Sequence, residues 1–166
     1  ITDILKRNFE ISEEDYKPYF KGEYPEYYKF SFVRNPWDRV VSCYFNKVVP
    51  KKYPYFQECW DKDFDYFVNF IDSKDLQRAD HHIILQSALI PIKEMDFIGR
   101  FENFSDDLIY VLQVLGAADL NFDHRNQSEH DHYSLYYTEE TRKSIDRKYK
   151  LDSDNFGYRY KTVTVE

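Results

Sequence analysis

Arg34, Asn35, Pro36 and Ser42 are the residues of this chain whose types and spacing most clearly point to chemistry. They fall in FVRNPWDRVVSCYF, residues 32–45. Asn35 is a good N-cap and Pro36 suits a first helical position, so a helix is expected to start directly after an apolar strand. The free N–H groups of such a helix point back toward the strand end, where the helix dipole favours an anion. Arg34 stands at that junction and can present a planar fork of donors to a phosphate or sulfate. Ser42 comes seven positions after the cap, two helical turns along, and can add a hydroxyl on the same side. A plainer account stays open for each: Arg34 paired with a nearby carboxylate, Asp38 serving only the helix dipole, Ser42 as a small residue beside a buried face.

Other residues offer weaker chemistry. Arg39 and Arg100 are candidate cations for a pocket, although Arg100 can equally pair with Glu102 or another acid. Gly99 permits a close backbone approach. Lys47, Lys51 and Lys52 form a small basic patch that either meets an acidic acceptor or is simply solvated. His124, His130 and His132 lie in a polar loop without a nearby cysteine, a poor setting for zinc, and no metal site is expected.

The elements that must position these residues follow from periodicity. Tyr28, Phe30 and Phe32 alternate with Lys29 and Ser31, as in a strand. Trp37, Val40, Val41, Tyr44, Phe45 and Val48 form one helical stripe, closed by Pro50 and Pro54. Residues 49–59 read as loop, 60–72 as a helix with Trp60, Phe64, Phe67, Val68 and Ile71 inward, and 76–90 as helical. Residues 95–101 read as a second short strand. Ser105 is expected to cap a helix that turns Leu108, Val111, Leu112 and Leu115 to the core and stops at Gly116. Residues 119–137 read as a surface loop, and Thr138 with Glu139 and Glu140 starts a last helix ending near Lys150. Strands interleaved with helices predict an α/β fold. There is no internal repeat.

Composition bounds the rest. With 166 residues, 42% of them hydrophobic, the chain can bury one core, so a single domain spanning 1–166 is expected. No apolar run approaches the ~20 residues of a membrane span. A net charge of -7 argues against general affinity for nucleic acid or anionic membrane, so an anionic ligand must be held locally. Sixteen tyrosines and 14 phenylalanines are most simply core and rim, not a stacking platform for sugars or bases. Two cysteines are too few for a disulfide framework and fit a reducing compartment.

Residues 33–42, VRNPWDRVVS, closely resemble the 3′-phosphate-binding segment of sulfotransferases that use 3′-phosphoadenosine-5′-phosphosulfate (PAPS), especially the branch that sulfates carbohydrates. Asp80, His82 and Gln86, then residues 96–102, and finally Tyr149 to Asp154 with Phe156, Gly157 and Tyr158, resemble later blocks of that family in the right order. The resemblance implies a P-loop-like α/β fold, a small parallel sheet flanked by many helices. It implies that Arg34 and Ser42 hold the 3′-phosphate of PAPS, the co-substrate, with Asn126 and Ser128 resembling a further element near the nucleotide. It makes His82 a candidate for catalysis or for contact with acceptor or nucleotide, placed with Gln86 one turn along a shared helical face. The family's Lys-bearing loop for the 5′-phosphosulfate has no counterpart here, because the four glycines are far apart. That strand, loop and helix, and with them the catalytic base, are expected upstream of Ile1.

The implied function is transfer of a sulfuryl group from PAPS to a hydroxyl of a carbohydrate. Chain acidity makes a neutral glycan an easier acceptor than a polyanion. A non-catalytic or degenerate adenosine-bisphosphate-binding module is an alternative, as is a P-loop kinase-like phosphotransferase, which would need a Walker-type loop and a magnesium-binding acid. A bacterial cytoplasmic location is expected, with a Golgi-lumenal catalytic fragment as the alternative.

Overall fold

Two short, mostly half-buried strands lie side by side. The computed structural model describes residues 24–117 and 130–163. β1 (Phe30–Val33) pairs in parallel with β2 (Phe97–Arg100), and Phe32 stands opposite Gly99. A parallel pair needs a long crossover, and here helices and turns supply it. Both strands therefore end on the same edge, which places Arg34 beside Phe101. A side chain at Gly99 would put its Cβ 2.6 Å from the Phe32 ring, so the close approach expected there is that of an aromatic ring across the sheet.

α1 (Pro36–Cys43) begins as expected: Asn35 Oδ1 accepts from Trp37 N at 3.0 Å and Asp38 N at 3.2 Å, with Pro36 at the first position. It runs directly into one π-helical stretch, Tyr44–Val48. A 3₁₀ turn at Pro54–Cys59 leads to α2 (Phe64–Asp72), capped by Asp63; Trp60 lies before this helix and is only partly buried. α4 (Phe104–Val114) packs on β2 and buries Leu108, Val111 and Leu112. It starts two residues earlier than a Ser105 cap requires, with Asn103 at the cap position, and Leu115 is exposed beyond its end, before Gly116 at φ 72°.

The expected helix over 76–90 is largely absent. Only α3 (Gln86–Leu89) forms, because Asp80 captures the backbone N–H of His82 and turns the chain away from helical bonding. α5 (Glu139–Lys148) carries a capping box between Thr138 and Thr141, and a separate α6 (Lys150–Phe156) follows, ended by Gly157 at φ 69°. Where one helix ending near Lys150 is expected, there are two.

The core is one cluster built from α1, α2 and α5, with Phe56, Phe67, Ile83 and Tyr149 among its fully buried side chains. Rings pack on one another within it, edge-on where Phe56 meets Phe67 at 5.5 Å and stacked where Phe67 meets Phe70 at 6.4 Å, so the aromatic richness is indeed packing. Trp37 Nε1 donates to Asp146, and Tyr137 Oη donates to the Trp37 carbonyl; these bonds tie α1 to α5 and to the segment just before it.

Candidate functional site

Arg34 and Ser42 meet at the carboxyl edge of the sheet. Nη1 of Arg34 donates to Ser42 Oγ at 2.9 Å, and Nε donates to Asp38 Oδ2 at 2.6 Å in an ion pair whose side chains are 18% and 20% exposed. The guanidinium lies 4.4 Å from the centre of the Phe101 ring. Asn46 Nδ2 approaches Ser42 Oγ at 3.5 Å. The expected juxtaposition of cation and hydroxyl is thus present, and so is the plainer partner, Asp38.

The backbone at this junction is clamped by side chains from distant parts of the chain. Gln86 Oε1 accepts from Arg34 N, and its Nε2 donates to Arg34 O, both at 2.8 Å. Gln86 is itself held by Asp152, a fully buried carboxylate on α6 that accepts from Gln86 N, Ser87 N and Ser87 Oγ. On the other flank Glu102 accepts from Asn35 N and from the Tyr158 hydroxyl. Burial beside that carboxylate drives the Tyr158 phenol far above its ordinary range, so it stays a donor.

One expectation changes here. The helix-start amides do not face a ligand, because Asn35 caps Trp37 N and Asp38 N, Pro36 has none, and Glu102 takes Asn35 N. The arrangement offers an anion the flank of α1, through Arg34 and Ser42, rather than its tip.

A cavity of about 470 Å³ opens on that flank, lined by Arg34, Ser42, Asn46, Lys47, His81 and His82 among others. Lys47 comes from the π-helical stretch, whose wider turn suits a residue five positions after Ser42 to the same side. Arg39 also borders the cavity but donates to the carbonyls of Ile84 (2.6 Å) and His81 (2.9 Å), so it braces the 80–84 loop. Lys51 pairs with Asp61 at 2.6 Å. Arg100 does not pair with Glu102: its Nη2 donates to the Phe156 carbonyl at 2.6 Å and it lies over the Tyr158 ring.

His82 shares the cavity with Arg34 and Ser42, but from a turn, so it shares no helical face with Gln86. Its Nδ1 is engaged by Asp80 Oδ1 at 2.8 Å, which leaves Nε2 to meet a ligand. Burial lowers the His82 pKa, outweighing the support from Asp80, and favours the neutral imidazole. Burial raises the Asp80 pKa, but hydrogen bonds from the His82 backbone and ring and from the Tyr53 hydroxyl outweigh it and the net shift is downward. Ligand atoms of Asp80, His81 and His82 lie within 4.8 Å of one another, so these residues could hold a metal ion among the described residues. The Asp80 carboxylate is already engaged by His82 and Tyr53, which accounts for the cluster as a staple of the turn.

Cys43 borders the cavity as well, yet burial pushes its thiol up to about 12, so it is no nucleophile at neutral pH. Asn126, Ser128 and His124 lie outside the described residues. His132 Nδ1 is 2.9 Å from Ser134 Oγ, and His130 is buried against Phe45. The sequence reading missed Glu102, Asp152 and the Phe101 ring as parts of this site.

Comparison with known proteins adds an independent line. A family model described as the sulfotransferase family matches residues 3–159. Carbohydrate sulfotransferase 14 of the zebrafish Danio rerio is 29% identical over 169 residues, covering 84% of this chain and 46% of that protein. Carbohydrate sulfotransferase 11 of the mouse Mus musculus is 28% identical over 118 residues, covering 55% of this chain and 34% of that protein. A protein of the archaeon Archaeoglobus fulgidus is 32% identical over 95 residues, 56% of this chain and 71% of its own length. The chain therefore spans less than half the length of the two vertebrate proteins. No solved structure matches. These relatives are animal and archaeal, which overturns the bacterial, cytoplasmic location expected from the sequence. Among the described residues no helix is long and apolar enough to cross a membrane.

Proposed function

The chain belongs to the sulfotransferase family, and from that premise we propose that it transfers a sulfuryl group from PAPS to a hydroxyl of a carbohydrate. In this reading Arg34 and Ser42 hold the 3′-phosphate of the donor. The observation that carries it is the meeting of guanidinium and hydroxyl at 2.9 Å on the edge where both strands end, beside a cavity with a further cation in Lys47. The names of the vertebrate relatives support a carbohydrate acceptor.

The chemistry asked of these residues is positioning. Sulfuryl transfer resembles phosphoryl transfer in spreading charge over equatorial oxygens, so rate comes from holding donor and acceptor in line and from cations near the developing charge. A 3′-phosphate gripped bidentately fixes the far end of the donor and turns binding energy into orientation. Gln86 and Glu102 serve by fixing the backbone from which Arg34 projects. Asn126 and Ser128 belong to the same proposal on resemblance alone.

The test is thermal unfolding of the full natural chain with adenosine 3′,5′-bisphosphate and with adenosine 5′-monophosphate, for wild type and Arg34→Ala. Bisphosphate at about 100 times its dissociation constant should stabilise wild type by roughly 2.7 kcal/mol. The monophosphate should do much less, and Arg34→Ala should erase the difference. Equal responses to the two nucleotides, or an unchanged response in the variant, would sink the assignment. Bisphosphate binding without sulfate transfer from PAPS to any glycan would favour a binding module.

A further inference from the structure

His130 holds a polar atom that nothing among the described residues satisfies. Its side chain is 6% exposed, and its Nε2 is buried without a hydrogen-bond partner among the described residues. Such atoms are rare because leaving them unmade is costly, so each asks for an explanation. Nδ1 lies 2.7 Å from the Asp131 carbonyl oxygen, which can only accept, so Nδ1 carries the proton. Nε2 points toward Asp38 Oδ1 at 4.0 Å, too far for a hydrogen bond, and a ring carrying its proton on Nδ1 alone would set two acceptors against each other there. Packing holds the ring in that direction: it stacks on Phe45 at 5.9 Å and 24° and meets Tyr136 edge-on at 6.2 Å. The other oxygen of Asp38 holds Arg34 Nε. One carboxylate thus stands between a guanidinium and an imidazole.

Resting on the phosphate-binding reading above, we infer that His130 is a positioning residue that takes up a proton when a phosphate monoester dianion docks on Arg34. Docking brings a dianion beside the Asp38 carboxylate, and the like charges repel in a partly desolvated setting. A proton arriving from solvent at Nε2 turns the lone pair into a donor aimed at Asp38 Oδ1. The new imidazolium pairs with Asp38, cancels its charge and releases Arg34 to turn its fork toward the phosphate. Among the described residues the titratable and charged groups facing the ring are Asp38 from α1, which pairs in turn with Arg34, and Tyr136 from the turn that follows; Asp131 contributes a backbone carbonyl. The orphaned nitrogen is explained as the empty half of a bond made only when ligand is present.

The experiment is calorimetric titration of the full chain with adenosine 3′,5′-bisphosphate between about pH 7 and 8.5, in buffers of different ionisation enthalpy. The ligand's own phosphates are then mostly dianionic, with second ionisations near 6. Wild type should take up close to one proton per site, and log Kd should rise with pH at a slope approaching about one. His130→Gln should bind without proton uptake, with a flat profile and about tenfold weaker affinity at pH 7. Asp38→Asn should also lose the uptake but keep its affinity, since no carboxylate is left to neutralise; it decides the matter should His130→Gln fail to fold. Binding without proton uptake, or uptake that persists in both variants, overturns the inference and leaves the phosphate site standing. Absence of binding, or binding indifferent to Arg34→Ala, overturns the phosphate site and this inference with it.

Discussion

Asp152→Ala is the substitution whose cost the structure makes easiest to work out. The carboxylate is wholly buried and accepts from Gln86 N and Ser87 N at 2.8 Å and from Ser87 Oγ at 2.6 Å. Its removal strands two amide N–H groups and a hydroxyl. At about 1–3 kcal/mol for each buried donor left without a partner, partly offset by water entering the vacated space, the loss should be about 3–5 kcal/mol. Against a total of roughly 5–15 kcal/mol that is between a fifth of the stability and all of it. Asp152→Asn keeps one acceptor oxygen in the same shape and should lose about half as much. Urea unfolding measures both, with the midpoint shift read at constant m-value. The perturbation also reaches the site: Gln86 joins Asp152 to both backbone groups of Arg34, so the folded fraction of Asp152→Asn should bind adenosine 3′,5′-bisphosphate more weakly. A loss under about 1 kcal/mol for Asp152→Ala, or equal losses in the two variants, would refute the view that this carboxylate organises the turn.

Three further outcomes are expected. Gly99→Ala drives a methyl to 2.6 Å from the Phe32 ring and should cost about 1–3 kcal/mol through overpacking, measured by the same unfolding assay. His82 has its pKa lowered by burial, so its contribution to stability is complete above the ordinary imidazole pKa of ~6.5 and is lost as pH falls below it, when the unfolded chain takes a proton that the fold resists; the drop in Tm from pH 7.5 to 5.5 should shrink in His82→Asn. Burial pushes the Cys43 and Cys59 thiols up to about 12 and about 11, so at pH 8 both should react with a disulfide reagent no faster than the chain opens, and rapid modification of the native protein would contradict the packing.

What could be foreseen from sequence is what depends on neighbours a few residues apart. The strand ending at Val33, the Asn35 cap, the Pro36 start and the apolar stripe of α1 are local patterns, and all are present. So is the meeting of Arg34 with Ser42, which needs only the two turns of one helix. The helix expected over 76–90 failed for a local reason of another kind: Asp80 bonds the backbone two residues on, an option that periodicity cannot see. The change from α to π winding at Tyr44 left no mark in the apolar stripe. At the C-terminal end a run of helix-compatible residues hid a break at Tyr149, whose ring is buried and whose hydroxyl donates to the Ile83 carbonyl, so core packing rather than propensity divides α5 from α6.

The frame around the proposed anion site lay beyond such reasoning, because it is made by pairs 52 to 67 residues apart: Gln86 with Arg34, Asp152 with Gln86, Glu102 with Asn35. A sequence shows that carboxylates exist, not which backbone N–H each one takes. That distinction changes the electrostatics of the site. A helix start with free amides attracts any anion, phosphate or carboxylate alike. Here the amides of α1 are spent on Asn35 and Glu102, so its positive end is already answered by the protein's own acid. An incoming phosphate is left with donors that can move: a guanidinium shared with Asp38, a serine hydroxyl and the Lys47 ammonium. Side-chain donors must be released from internal partners before they bind, which costs affinity for a monoanion but is repaid by the stronger attraction of a dianion. Selectivity for a phosphate monoester over sulfate, which cannot carry the second charge as an ester, follows from this exchange. Replacing the 3′-phosphate of the ligand by a 3′-sulfate should therefore weaken binding to wild type markedly and to Asp38→Asn much less, since only the wild-type site must pull Arg34 away from a carboxylate.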